Sequence, residues 1–274
     1  MASRSLGRKG PVTYSLRALV IGYLFLLVIW PLIKIVQTTF ANGTDDIARV
    51  LEEADLVHAL KLTAIVAVSA VVINTVFGVG MSLLLVRHEF RGKRFLNALV
   101  DLPLSVSPVV VGLSLLLVYG SRTGWFGPVL RSIGVQVIYA TPGMVLATSF
   151  VALPLVVREV VPVLEELGDD AEIAAASLGA NSVQIFRRIT LPAIKWAVLY
   201  GVVLSLARSL GEFGAVKVVS GNVLGKTRTA PLAVEEMYLN FDKPGAYAVA
   251  FLLALVAIAC ITIVTFIRPK EQNP

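Results

Sequence analysis

Arg208 and Glu212 lie four residues apart within an otherwise apolar stretch, Ser205-Leu206-Ala207-Arg208-Ser209-Leu210-Gly211-Glu212. Residues at this spacing share a helix face, so the sequence predicts an ion pair. Charges at membrane depth are costly and face a bundle interior, water or each other. Two readings stay open. The pair can be structural, fixing how helices pack, or Arg208 can lend positive potential to an anion path, with Ser205 and Ser209 adding neutral hydroxyl donors. A wholly paired arginine is a poor sink for a dianion, and a trap too deep would also prevent release.

Other reactive residue types are sparse. His58 and His88 are the only histidines and read as solvated loop residues. No Cys, His and carboxylate set has metal-ligand spacing, so no metal site is expected. The single Cys260 excludes an intrachain disulfide. There is no G-x-x-x-x-G-K-[ST] phosphate loop, so no nucleotide is bound by that route. The net charge is +6, but no basic stripe interleaves with aromatics, which argues against a nucleic-acid partner. Asn74 and Asp101 are lone polar groups in apolar runs and read as contacts between helices. Asp101 falls near the inner end of the third apolar segment, where Arg94 could pair with it. Trp30, Trp125 and Trp196 fall near the ends of apolar segments, as interfacial anchors do.

The elements that must position these residues are membrane helices. The chain has 274 residues, 57% of them hydrophobic and only 15% charged, against about 25% charged in a soluble domain. Its mean hydropathy is +0.82. A span needs about 20 mostly apolar residues, and six segments qualify: about 18–36, 60–86, 98–119, 137–157, 192–213 and 246–267. The reading is an all-α membrane protein of six transmembrane helices. The first apolar run is too long for a cleavable signal and lacks a small-residue cleavage site, so it reads as a retained span. Starting with Arg4, Arg8, Lys9 and Arg17, alternate connecting segments carry fourteen Lys and Arg and the others seven. That bias predicts both termini in the cytoplasm. Residues 1–17 and 268–274 are then cytoplasmic tails, 18–36 the first helix, and 60–267 a five-helix domain with a cytoplasmic loop at about 165–192.

That loop reads EELGDDAEIAAASLGANSVQIFRRITLP. Asp169 and Asp170 precede a run of strong helix formers, Ala171 to Leu178, which suits a helix N-terminus. Gly179 can close it in a left-handed conformation. A second short helix is expected at about Ser182 to Ile189. Pro192 then opens the fifth span, where its missing N–H costs little. Ala174, Ala175 and Ala176 present almost no side chain, so another protein can approach closely. The spacing leaves an ordinary interfacial loop as the alternative.

The pattern Ala-Ala, three residues, Gly, then Ile-x-Leu-Pro resembles the EAA loop of ABC importer permeases. Ala174, Ala175, Gly179, Ile189, Leu191 and Pro192 carry the match. The family's Glu falls on Ile173, with Glu172 one residue early, a shift of about 100° around a helix. The resemblance implies a type I ABC importer permease architecture, with this loop forming a coupling helix that docks on an ATPase.

The stretch Arg208 to Val216, with Val219-Ser220-Gly221-Asn222 and Thr227-x-Thr-x-Pro231-Leu232, resembles sulfate/thiosulfate importer permeases of the CysW type. Molybdate permeases share the Arg-x-x-Gly-Glu-Phe-Gly core, so a molybdate or tungstate importer is the nearest alternative. Val218-Val219-Ser220-Gly221 and Val234-Glu235-x-x-Tyr238 favour sulfate. The resemblance covers roughly residues 15–268. It implies a second homologous permease, two cytoplasmic ABC ATPase subunits that bind ATP and Mg²⁺, and an extracytoplasmic sulfate-binding protein. It also implies residence in a bacterial inner membrane and no cofactor or enzymatic site in this chain. An ion-coupled secondary transporter would call for symmetric halves with broken helices, and an intramembrane enzyme for a nucleophile or metal constellation. Neither is visible.

Overall fold

A computed structural model describes residues 11–267, and every regular element among them is helical. Helix α1 (Pro11–Leu24) passes through a π turn (Phe25–Ile29) into α2 (Trp30–Thr39), and α3 (Asp45–Glu52) leads to the long α4 (Ala54–Arg87). Then come α5 (Lys93–Ser105), α6 (Pro108–Tyr119), the short α7 (Gly127–Ser132) and α8 (Thr141–Leu167). Two small helices, α9 (Asp170–Ser177) and α10 (Ser182–Ile185), precede a second π turn (Phe186–Thr190) and α11 (Leu191–Leu210). The last elements are α12 (Gly214–Ser220), α13 (Ala230–Leu239) and α14 (Lys243–Ile267).

Five stretches are long and apolar enough to cross a membrane: Thr13–Thr39, Ala54–Arg87, Thr141–Leu167, Ser182–Leu210 and Lys243–Cys260. A sixth arises only if α5 and α6 count as one span, because they meet at 113°. The third span expected over 98–119 is thus a bent pair of helices. The cause is local. Val106 and Ser107 are extended, with ψ of 135° and 134°; at Ser107 the reason is Pro108, which disfavours helical geometry in the residue before it. Pro108 itself then fits the first turn of α6.

Several boundaries move. The first helix begins at Pro11, inside the stretch read as a tail. Helix α4 starts at Ala54, so His58 belongs to a helix and not to a loop, with Nε2 3.4 Å from the Lys226 carbonyl oxygen. Helix α8 runs on to Leu167 and takes in Arg158. The short helix expected at Ser182 to Ile189 is not separate: its residues run through the π turn into α11 as one 29-residue stretch. The tail at 268–274 lies outside the described residues.

The core is a three-helix contact of α4, α8 and α11. Val79, Val156, Val160, Leu164, Ile194 and Ala197 form its apolar cluster. Backbone proximity sets its depth. A Cβ on Gly78 would lie 2.7 Å from Val156 Cγ1, and one on Gly201 would lie 3.0 Å from Val156 Cα. Two glycines on flanking helices thus press on the same valine of α8, the small-residue packing that brings membrane helices together. A second cluster, including Met144, Ala147, Val216 and Leu232, seats α12 and α13 on α8.

Asp101 pairs with Arg158 at 3.0 Å, and not with Arg94 as sequence proximity suggested. Arg158 reaches it from α8, 57 residues away along the chain. Outside the core, Arg49 of α3 donates to Asp242 at 3.0 Å. That hydrogen bond and the carboxylate charge push the Arg49 guanidinium above its ordinary value. The first apolar stretch, Thr13–Thr39, buries none of its most apolar segment within the chain. Leu19, Ile21 and Leu26 are each more than 60% exposed there, a surface suited to hydrocarbon.

Candidate functional site

The segment between α8 and α11 is built from caps. Helix α8 ends at Gly168, whose φ of 63° and ψ of −165° belong to a region that only glycine occupies readily. Helix α9 starts two residues later. It closes on Gly179 at φ 87°, with Gly179 N–H donating to Ala176 and Ala180 N–H to Ala175. This is the paired termination that a left-handed glycine allows. Asn181 and Gln184 then cap α10 reciprocally. Three compact devices turn the chain around within 24 residues, from Gly168 to Leu191.

The sequence-matched residues occupy this turn. Ala174 is exposed and Ala175 half-buried on α9; Ile189 is half-buried in the π turn; Leu191 and Pro192 open α11. Leu178 is 90% exposed and Ile173 56%. Helix α9 and the Leu178 that follows it therefore present an exposed apolar surface. Glu172 faces the other way. Its Oε2 accepts from Arg87 Nε at 2.9 Å, and its Oε1 from Arg87 Nη2 at 3.3 Å and Thr190 Oγ1 at 2.7 Å. The 100° offset from Ile173 turns this carboxylate inward, onto α4 and the π turn. Arg87 and Thr190 were not singled out in the sequence. Neither carries a local signal, because their role depends on contacts 85 and 18 residues away.

The second constellation lies at the far end of α11. Arg208 Nη1 is 2.8 Å from Glu212 Oε2. The contact is a charge pair without hydrogen-bond alignment. Helix α11 stops at Leu210, so Glu212 sits just beyond it and the predicted pairing survives the helix end. Glu212 is 3% exposed, while the Arg208 side chain is 38% exposed. Glu212 Oε1 also accepts the Ala215 N–H at 2.9 Å, near the N-terminus of α12, where a negative charge is favoured. The carboxylate thus anchors α12 and holds one edge of a guanidinium that remains open to its surroundings.

The two serines are elsewhere. Ser205 is fully buried and receives a long hydrogen bond, 3.5 Å, from Asn74 Nδ2 of α4. Ser209 is buried with its hydroxyl unpartnered. The structure joins Arg208 with Glu212, and Ser205 with Asn74. Among the described residues, no three His, Cys, Asp or Glu come together as a metal-holding group.

Long apolar helices around a tight three-helix core, with a small capped helix turned out between α8 and α11, define a multi-pass helical membrane protein. Residues 74–271 match the family described as binding-protein-dependent transport system inner membrane component, and the chain belongs to it. It is 46% identical to the sulfate transport system permease protein CysW of Synechococcus elongatus, over 90% of this chain and 86% of that one. It is 37% identical to the sulfate transport system permease protein CysT of Salmonella typhimurium, over 86% of this chain and 85% of that one. Its fold matches a chain of a bacterial alginate ABC transporter solved with an alginate pentasaccharide-bound periplasmic protein, with a TM-score of 0.77, 16% identity and 92% coverage of each chain.

Proposed function

We propose that this chain is one of two homologous permease subunits of an ATP-driven sulfate importer, with thiosulfate in the same substrate class. The identity of 46% across nine-tenths of the chain to a sulfate permease carries this reading. The similarity to both CysW and CysT favours a pair of related permeases, and the solved neighbour with its periplasmic protein favours delivery of substrate by a binding protein. ATP and Mg²⁺ belong to two cytoplasmic ATPase subunits. The charge bias of the connecting segments supports cytoplasmic termini and an α9 turn on the cytoplasmic side of the inner membrane.

In this arrangement α9 is the coupling helix. Its low apolar surface at Ala174, Ile173 and Leu178 suits a groove on an ATPase. Arg208, about 24 Å along the helix from Pro192, lies toward the outer side of the path. Its half-neutralised guanidinium attracts a dianion without trapping it, because Glu212 is held at 2.8 Å. The test is radiolabelled sulfate uptake in cells lacking the gene, with and without this chain, and with molybdate as competitor. Restored uptake that excess molybdate leaves intact supports the reading. Uptake that survives deletion, or that is abolished mainly by molybdate, overturns the substrate.

A further inference from the structure

Arg87 is the last residue of α4, yet its guanidinium binds two other elements directly and a third through Glu172. Nη1 donates to the Leu164 carbonyl at 3.1 Å and Nη2 to the Gly168 carbonyl at 2.7 Å, taking up oxygens at the C-terminal end of α8. Nε and Nη2 bind both oxygens of Glu172 on α9. Glu172 in turn accepts from Thr190, which is buried in the π turn that opens α11. The Arg87 and Glu172 side chains are only 15% and 20% exposed. The planar fork of arginine suits this use, since its five donors sit in fixed directions and a lysine cannot reproduce them.

The backbone route between α8 and α9 is weak by comparison. It consists of Gly168 and Asp169, with Gly168 in a glycine-only conformation and nothing within 4 Å of its Cβ position. A push on α9 carried by that link alone can be absorbed by rotation at Gly168. The side-chain clamp pins the Gly168 carbonyl of that link and adds a second route, which joins α9 to α4, to the end of α8 and to the start of α11, the three helices that form the core.

We infer that Arg87, through Glu172 and Thr190, is the positioning residue that transmits displacement of α9 to the three core helices, so that nucleotide-driven motion moves the transport path. This rests on the permease reading above. The test uses the complete transporter, with its second permease, ATPase subunits and binding protein, in proteoliposomes. ATP hydrolysis and sulfate uptake are measured on the same preparation. Arg87→Ala lowers the sulfate moved per ATP hydrolysed by about tenfold, within the roughly 5- to 150-fold span of ordinary coupling energies, while hydrolysis continues. Arg87→Lys gives an intermediate ratio. Should Arg87→Ala fail to accumulate, Glu172→Gln and Thr190→Val remove the other ends of the same clamp and give the same fall. A wild-type ratio in these variants overturns the inference. Absence of ATP-driven uptake in the wild-type transporter overturns the permease reading instead.

Discussion

Glu212 is buried and Arg208 is not, although their charged atoms are 2.8 Å apart. The pair is therefore asymmetric. Removing the arginine strands a desolvated carboxylate, whereas neutralising the carboxylate leaves a guanidinium that can still reach solvent. Breaking a fully buried pair from one side costs about 3–5 kcal/mol, and the exposure of Arg208 brings the cost here below that range.

The asymmetry separates structure from transport. Arg208→Ala is expected to lower the thermal midpoint of the detergent-solubilised protein more than Glu212→Gln, which keeps an oxygen for the Ala215 N–H. The double variant recovers most of that midpoint. If Arg208 supplies the anion path, the recovered double variant still fails to take up sulfate. Normal uptake in it would leave the pair a purely structural role.

Ser205→Ala tests the neighbouring hydroxyl. The Ser205 side chain is fully buried and receives the 3.5 Å contact from Asn74. The expected loss is roughly 0.6 kcal/mol, the average for hydrogen bonds between membrane helices, with sulfate uptake unchanged. A specific loss of uptake at normal abundance would put Ser205 back on the path.

Gly78→Ala places a methyl group 2.7 Å from Val156 Cγ1. Overpacking of this kind costs about 1–3 kcal/mol, read as a lower thermal midpoint. Gly80→Ala, two residues along the same helix with open space at its Cβ position, is expected to be neutral or slightly stabilising. Equal effects of the two variants would show that the close approach of α4 to α8 is not maintained in the membrane.

Gly179→Ala has room for a side chain but the wrong backbone, at φ 87°. A non-glycine residue there costs roughly 1–2 kcal/mol, which falls on the C-terminal turn of α9. Copurification of the ATPase subunits is expected to weaken in Gly179→Ala and to hold better in Gly179→Asn, because asparagine tolerates the left-handed region. Wild-type copurification in the alanine variant would show that the cap does not shape the docking surface.

What the sequence disclosed followed the range of the interactions. The long apolar helices and the Arg208–Glu212 pair depend on composition and four-residue spacing, and both are legible. So is the Gly179 turn, a local conformational demand. The break at Ser107 was written in Pro108, but averaging hydropathy over 98–119 passed across it. Arg94 could pair with Asp101 because it is near in sequence; the partner that does, Arg158, becomes available only once α8 lies against α5. Glu172 looked out of register on α9 alone, and its inward orientation acquires a meaning only when Arg87 arrives from α4. Pairings between distant helices leave no periodic trace in either partner.

The Asn74–Ser205 contact also sets an order in time. Its two residues are separated by 131 positions, so at about 5–20 residues per second of synthesis, roughly 7–26 s pass between making the amide and making the hydroxyl that receives it. Throughout that interval Asn74 lacks the partner that it has in the folded chain. The three-helix core of α4, α8 and α11 cannot close until α11 has been made.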